Sequence, residues 1–266
     1  MDCFDLNTLI LENSIYYTSK EVSVSYPEEG YNDCFAVEDN SFWFKHRNRI
    51  IAYFVKKYAH VSTFCDIGGG NGFVSSGLQS EGINTILIEP GKAGCMNASA
   101  RGVKNIVCGT LQDSGISDSC LQSAGIFDVL EHIEHDIEFL AAINKKMAPK
   151  AKLFITVPAY EFLWSYEDDY TGHYRRYTLN SLRSTAERAG FVSVQSTYIF
   201  SLLPVPIFLS RVLASKKSST KPDNSAHKRS FISRFVNWIL RFELKLLSIG
   251  IKIPFGSTCF IVLEKK

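Results

Sequence analysis

The chain has 266 residues, of which 45% are hydrophobic and 21% are charged, an ordinary balance for one large globular domain with additions. A net charge of +2 gives no overall argument for nucleic-acid binding, and the absence of an apolar run of about 18 residues argues against a transmembrane helix. Seven scattered cysteines without a C-x-x-C pair, and no evident signal peptide, predict reduced thiols in a cytoplasmic protein.

The first 40 residues are predicted to form an N-terminal extension. Alternating side chains at 21–26 are typical of an edge strand, and a turn is expected at 27–30. Ser41 then suits the N-cap of a helix with an apolar face and two arginines, Arg47 and Arg49.

A glycine-rich turn follows this helix. Residues 62–67 read as a buried strand, and Gly68, Gly70 and Gly72 alternate directly after it, before a helix that is expected to begin near residue 71. Glycines let the backbone turn sharply and approach a ligand closely. The next strand, at 84–88, ends in Glu89, the position at which an acid can bind ribose hydroxyls in nucleotide-binding βαβ units.

The rest of the chain continues to alternate between strands and helices. Further strands are predicted at 105–108, 120–127, 151–157, 191–198 and 258–263, with helices between them. This order predicts an α/β protein with a doubly wound, mostly parallel sheet of seven strands, a Rossmann-like fold. Ligands of such sheets bind beyond the carboxyl ends of the strands.

Two motifs, Asp66-Ile-Gly-Gly-Gly-Asn-Gly and the later Ile88-Glu89-Pro90, together resemble class I S-adenosylmethionine (SAM)-dependent methyltransferases. The run from Asp128 to His132 is similar to the segment that follows the fourth strand in this family. The resemblance implies SAM as cofactor and an antiparallel seventh strand. The chain departs from the family at Gln122, where an acidic residue is common.

The resemblance also suggests which residues bind the cofactor. The candidates are Arg47, Asp66, Gly68, Gly70, Glu89, Leu111, Gln112 and Asp128. In relatives an arginine before the glycine turn meets the SAM carboxylate, and Arg49 is a second candidate for that role. A solvated basic face explains the two arginines equally well.

The acceptor side is assigned to His132, His173 and Arg176. An imidazole has a suitable ordinary pKa for a general base, although His132 could instead fix its loop. The segment from Gly172 to Thr178 looks like one in a broad group of bacterial-type methyltransferases, where it forms an acceptor wall or lid. Arg176 could hold a substrate anion or form an internal ion pair with Asp168 or Asp169.

Asp128, Glu131 and His132 also permit a metal interpretation. Some SAM methyltransferases with a similar E-x-x-E-H run bind a divalent ion there, and His173 could add a ligand. Acidic residues at the start of a helix explain the same run without a metal, so no metal is assigned from the sequence.

The sequence thus predicts a SAM-dependent methyltransferase, O-directed, with a small-molecule or lipid-linked acceptor. A non-catalytic SAM-binding or scaffold protein is the alternative, and Phe73, where a dinucleotide fingerprint needs glycine, argues against a nicotinamide dehydrogenase. The core is expected at 41–199 and the last strand at 258–266.

Between the core and the last strand, a helical insertion is predicted at 200–257. Apolar residues recur at helical spacing within 231–249, with basic residues beside them. This pattern fits peripheral membrane contact through 200–251, or packing against the sheet or a second subunit. The oligomeric state does not follow from the sequence.

Overall fold

The computed structural model describes residues 3–19, 26–59, 63–201 and 230–266. Its strands are β1 Leu9–Glu12, β2 Ile15–Thr18, β3 Thr63–Ile67, β4 Asn84–Glu89, β5 Ile106–Cys108, β6 Leu121–Phe127, β7 Met147–Pro158, β8 Phe191–Ile199 and β9 Thr258–Lys265. Its helices are α1 Glu28–Glu38, α2 Phe42–Tyr58, α3 Phe73–Ser80, α4 Lys92–Ala100, α5 Asp136–Lys146, α6 Tyr166–Thr171, α7 Leu179–Arg188 and α8 Ser230–Ser248.

The described strands form one sheet in the order β1-β2-β5-β4-β3-β6-β7-β9-β8. The strands from β2 to β7 are parallel, whereas β9 runs antiparallel between β7 and β8. The predicted doubly wound α/β class is confirmed. The sheet has nine strands rather than seven because the N-terminal hairpin of β1 and β2 extends it beyond β5.

Helices cover both faces of the sheet, which explains why its inner strands are nearly continuous apolar runs. On one face, Leu140 of α5 and Leu182 of α7 belong to the cluster that includes Ile155 of β7. On the other face, Ile51 of α2 packs in the cluster with Phe154 of β7. With both faces covered, the carboxyl edge of the parallel strands is the place where polar side chains can gather.

The structure differs from the sequence predictions near the N-terminus. The sequence predicts a turn at 27–30, whereas in the structure Pro27 is the N-cap of α1 and the helix begins at Glu28. The expected edge strand at 21–26 lies almost entirely outside the described residues. The prediction of reduced thiols is wrong for Cys3 and Cys120, which form a disulfide, while Cys34, Cys65, Cys95, Cys108 and Cys259 are free. Both bonded cysteines fall in stretches with little periodicity, so their proximity has no local sequence signature.

Helix α8 attaches the predicted insertion to the core. Leu240 and Leu247 are buried in the cluster that includes α2. Glu243 is also buried, and its carboxylate accepts hydrogen bonds from the backbone N–H groups of Phe200 and Ser201, at 3.0 and 2.8 Å. The Nε2 atom of His46 lies 2.8 Å from the same carboxylate.

The opposite side of α8 is exposed: Trp238 and Phe242 are 64% and 52% accessible, and Ile249, directly after the helix, is 66% accessible. Much of the predicted insertion, 202–229, lies outside the described residues, as do the side chains of 230–237. In the part of the chain that the structure describes, no helix is both long enough and apolar enough to cross a membrane.

Candidate active site

A cavity of about 710 Å³ opens at the carboxyl edge of the parallel strands. We call the part around Gly68, Gly70 and Glu89 the glycine end, and the part around Glu131, His132 and His173 the histidine end. The sequence-predicted residues that line the cavity are Arg47, Asp66, Gly68, Gly70, Glu89, Asp128, His132, His173 and Arg176. One cavity therefore joins the residues assigned to the cofactor with those assigned to the acceptor.

The other two predicted cofactor residues do not line this cavity. Leu111 is 3% exposed and belongs to the apolar core, and Gln112 is exposed. Arg49, the alternative to Arg47, also lies on the exposed side of α2. The assignment of Leu111 and Gln112 to the cofactor stays a prediction.

The glycine turn gives the cavity its open backbone wall. Gly70 has a φ of +52°, a left-handed conformation that favours glycine. A Cβ built on Gly70 meets no atom within 4 Å, whereas one built on Gly69 would lie 2.1 Å from Leu87. The backbone at Gly70 therefore faces free space that a ligand could use, while Gly69 is needed for packing.

Glu89 holds the glycine end together. One carboxylate oxygen accepts from the hydroxyl of Tyr31 at 2.9 Å and from the N–H of Gly91 at 2.7 Å. The other oxygen accepts from the N–H of Gly70 at 2.8 Å. Burial raises the pKa of Glu89, although these three hydrogen bonds oppose the shift. A carboxylate can accept about four hydrogen bonds, so capacity for a ligand remains.

Asp66 lies beneath the glycine turn and is fully buried. Its Oδ2 accepts from the Ser75 hydroxyl at 2.7 Å, and its Oδ1 has no hydrogen-bond partner among the described residues. Burial raises the pKa of Asp66 to about 6. An acceptor atom is thus available within the wall of the cavity.

Arg47 and Asp128 form an ion pair beside the two ends of the cavity. The guanidinium lies over the Trp43 ring, 4.7 Å from its centroid, and Thr156 donates to Asp128 at 3.0 Å. Because Arg47 is buried, the alternative of a solvated basic face holds for Arg49 but not for Arg47.

Glu131 and His132 lie on a single helical turn, Leu130–His132, which begins three residues after the end of β6. The His132 ring lies edge-on to that of His173, with centroids 4.5 Å apart. Burial and the neighbouring His173 lower the pKa of His132 to about 4, and burial raises the pKa of Glu131 to about 8. The sequence could not predict these shifts, since they depend on tertiary burial.

Asp168 organises the segment that closes the histidine end. It accepts two hydrogen bonds from the Arg176 guanidinium, at 2.8 and 3.0 Å, and lies 2.8 Å from the Nδ1 of His173. It also caps α6 by accepting from the N–H of Ser165 at 2.7 Å. Arg176 thus forms the internal ion pair with Asp168 that was one of its two alternatives, and its binding of a substrate anion stays a prediction.

The sequence missed the contribution of the N-terminal extension to this site. Tyr26, Tyr31 and Glu38, in or just before α1, line the cavity. Pro27 followed by Glu28 and Glu29 was an available indication of α1, because proline and acids are favoured where helices begin. Nothing local indicated that Tyr31 would contact Glu89.

A protein-family model described as a methyltransferase domain matches residues 40–196. No curated protein sequence matches the chain.

Solved structures share the fold at low sequence identity. A Haemonchus contortus phosphoethanolamine N-methyltransferase 2, solved with phosphomonomethylethanolamine and S-adenosylhomocysteine, is 13% identical with a TM-score of 0.58; the match covers 92% of this chain but only 60% of that enzyme. A Thermotoga maritima SAM-dependent methyltransferase is 16% identical with a TM-score of 0.58, and the match covers 90% of this chain and 95% of that protein. A SAM-dependent methyltransferase from Archaeoglobus fulgidus is 17% identical with a TM-score of 0.54, and the match covers 85% of this chain and 100% of that protein.

The role of Asp168 predicts a large stability effect. Asp168→Asn should lower the free energy of unfolding by about 3–5 kcal/mol, because it removes the buried carboxylate that pairs with Arg176, whose side chain is only 10% exposed. Asp169→Asn is the matched control: Asp169 is exposed and accepts from the Trp164 indole at 3.0 Å, so about 1 kcal/mol or less should be lost. Urea unfolding measures both, and equal losses in the two variants would contradict the role of Asp168.

Proposed function

The chain belongs to the methyltransferase-domain family, and we propose that it is a SAM-dependent methyltransferase that methylates an oxygen of a small-molecule or lipid-linked acceptor bound at the histidine end. The observation that carries this proposal is the single cavity of about 710 Å³ that joins the glycine end to the histidine end. Its volume lies within the range of about 300–1,000 Å³ usual for ligand pockets.

The residues at the glycine end fit SAM. The free space in front of Gly70 admits a ligand against the backbone, and Glu89 keeps acceptor capacity for ribose hydroxyls. Asp66 has a buried oxygen without a partner among the described residues. Arg47 is buried at the cavity wall, where a guanidinium could bind a carboxylate. We assign these four residues, with Gly68 and Asp128, to the cofactor.

The remaining task of the protein is to place an acceptor and to help remove its proton. When bound, SAM supplies an electrophilic methyl group: the acceptor oxygen bonds to its carbon as the S–CH₃ bond breaks, and that electron pair stays on sulfur. The histidine end holds the groups that can handle the acceptor proton. We assign His132 and His173 to this step. Arg176 supports the segment that closes the histidine end, through its hydrogen bonds to Asp168.

The cofactor assignment predicts the effect of Glu89→Gln on SAM affinity. Losing charged hydrogen bonds worth about 1.5–3 kcal/mol should weaken SAM binding roughly 10- to 100-fold. Isothermal titration calorimetry measures the affinity, with Glu81→Gln as control, because Glu81 is exposed and pairs with Lys56 outside the cavity. Unchanged affinity in Glu89→Gln would remove Glu89 from the site.

The acceptor assignment is tested by labelled methyl transfer into a cell extract. The wild-type protein with methyl-labelled SAM should label one pool of the extract, aqueous or lipid, and mass spectrometry should place the methyl on oxygen. His132→Ala should lower the rate about 10²–10⁴-fold and leave SAM affinity nearly unchanged. SAM binding without any methyl transfer would favour the non-catalytic alternative, and a methyl on nitrogen would contradict the O-directed proposal.

A lipid-linked acceptor agrees with the exposed side of α8. Phe242 on α8 and Ile249 directly after it are more than half exposed, and Arg241 and Lys245 are exposed on the same helix. Apolar side chains bordered by basic ones are typical of helices that lie in a membrane interface. We propose peripheral membrane contact through α8 as the route to such an acceptor.

This contact predicts flotation of the protein with anionic vesicles. Binding should weaken at high salt, because screening reduces the attraction of the basic residues to anionic lipid. Replacing Phe242 and Ile249 with serine should abolish flotation without lowering the melting temperature. The control variant is Val192→Ser, an exposed apolar residue on β8 that should leave flotation intact. No flotation of the wild-type protein at low salt would rule the contact out.

A further inference from the structure

The histidine end contains two carboxylates without a balancing cation among the described residues. Glu131 and Glu167 both line the cavity, and neither carboxylate takes part in an ion pair or a side-chain hydrogen bond within the described ranges. We propose that this end binds the protonated amine of an acceptor whose nearby hydroxyl receives the methyl group, an inference that rests on the function proposed above. The acceptor class is then a hydroxylated amine, either free in solution or in the headgroup of a lipid.

Glu131 is the strongest reason for the proposal. Its side chain is fully buried, and neither carboxylate oxygen has a hydrogen-bond partner among the described residues. The backbone carbonyl of Glu131 accepts from the N–H of Tyr174 at 2.8 Å, so the residue is fixed in place. A buried carboxylate is normally paired with a cation or hydrogen-bonded. An ammonium group of a ligand would supply both, since it carries a positive charge and up to three donors.

The cationic side chains near Glu131 do not supply that partner. Arg47 and Arg176 act on Glu131 electrostatically. Arg47, however, is paired with Asp128, and Arg176 makes its two carboxylate hydrogen bonds with Asp168. A partner for Glu131 must therefore come from a molecule that enters the cavity.

The opening of the cavity favours the same charge. Glu167 is exposed and lines the cavity, and Tyr170, three residues further along α6, lines it as well and is 49% exposed. Deeper in, the ring of Tyr26 lies edge-on to His132, with centroids 5.9 Å apart. Faces of aromatic rings attract ammonium groups. A cationic acceptor thus meets a favourable surface from the opening inward to Glu131.

The charge of Glu131 depends on what lies beside it. Burial raises the pKa of Glu131 to about 8, so this carboxyl by itself is mostly protonated at neutral pH. An ammonium group next to it favours the charged form, because opposite charges stabilise each other. Such a pair is weakly screened at this depth, so the acceptor and the carboxylate hold each other in their charged forms.

The same contact directs the methyl group to oxygen. An amine paired with Glu131 keeps its proton, so its nitrogen has no lone pair with which to attack the methyl carbon. The acceptor hydroxyl bonds to that carbon and gives its proton to His132, while the S–CH₃ bond breaks and its electron pair stays on sulfur. A nitrogen of His132 lies within 4.8 Å of a Glu131 oxygen, so only a few bonds should separate the amine from the hydroxyl.

The experiment compares probes that differ in charge alone. Full-length protein is saturated with S-adenosylhomocysteine, which has no methyl group to transfer, and binding is measured by calorimetry. One series is straight-chain aminopropanol, butanol and hydroxybutanoate, and the other is ortho-hydroxybenzylamine, ortho-ethylphenol and ortho-hydroxyphenylacetate. The amine of a series should bind roughly 10- to 100-fold more tightly than its neutral and anionic counterparts. No preference for the amine in either series, or a preference for the anion, would overturn the proposal.

Glu131→Gln should remove this preference, because glutamine keeps the size of the side chain but not its charge. Glu134→Gln is the matched control: Glu134 lies three positions later, is exposed and does not line the cavity, so the full preference should remain. Glu167→Gln should reduce the preference only about two- to fivefold, and less at high salt, since its charge is exposed. Equal losses in Glu131→Gln and Glu134→Gln would contradict the role of Glu131.

The melting temperature separates a binding role of Glu131 from a structural one. Because its carboxylate has no hydrogen-bond partner among the described residues, Glu131→Gln should not lower the melting temperature. A lower melting temperature with the amine preference retained would show a structural role and overturn the proposal. If Glu131→Gln fails to fold, the charge series in the wild-type protein decides, with Glu167→Gln as the second variant.

Methyl transfer distinguishes this inference from the proposed function. The soluble probes, and phosphatidylcholine vesicles that contain a long-chain amino diol or the matching diol, are incubated with methyl-labelled SAM. Label on an oxygen of the amino compounds is expected, and its recovery from solution or from vesicles identifies the free or the lipid source. Equal transfer with and without the amine would overturn this inference and leave the proposed function intact. Amine binding without transfer to any acceptor would contradict the proposed function and leave the amine site.

Discussion

The buried carboxylate of Glu89 is the constraint on which the glycine end depends. It joins three parts of the chain: the turn after β3 through Gly70, the start of α4 through Gly91, and α1 through Tyr31. A buried carboxylate needs such donors, because an unpaired charge would be costly at this depth. The same three contacts fix the backbone in front of Gly70, so stability and ligand access at this end have one origin.

At the histidine end, by contrast, a buried carboxylate lacks hydrogen-bond donors in the part of the chain that the structure describes. There, Glu131 is buried without a hydrogen-bond partner among the described residues, and Arg176 is turned to Asp168. The Glu131 carboxylate therefore stays available toward the cavity, while Asp168 holds Arg176 in place. The glycine end differs in degree: its Glu89 carboxylate has three donors, and Asp66 keeps one oxygen without a hydrogen-bond partner among the described residues.

The sequence predicted those parts of the structure that depend on local pattern. The glycine turn after β3, Glu89 at the end of β4 and Asp128 after β6 each combine a buried strand with a residue at or just past its carboxyl end. A parallel sheet then brings all such positions to one edge. The N-cap role of Ser41 is confirmed for the same reason, since its hydroxyl accepts from the N–H of Trp43 at 3.3 Å.

Contacts between distant segments could not be predicted. Tyr31 and Glu89 are 58 positions apart, and the partners of the Cys3–Cys120 disulfide are 117 apart. Arg176 had equally plausible partners in sequence, and only the fold selected Asp168. The β1–β2 hairpin was missed because four-residue strands give too short a periodic pattern to recognise.

Adjacent residues of α2 face two different neighbours. His46 reaches Glu243 of α8, and Arg47 reaches Asp128 at the wall of the cavity. Successive side chains of a helix diverge by about 100°, so one rigid element spans the space between them. The contacts of α8 with His46 and of Asp128 with Arg47 are therefore held by one and the same helix. Helix α2 therefore connects α8, on the outside of the protein, to the wall of the cavity.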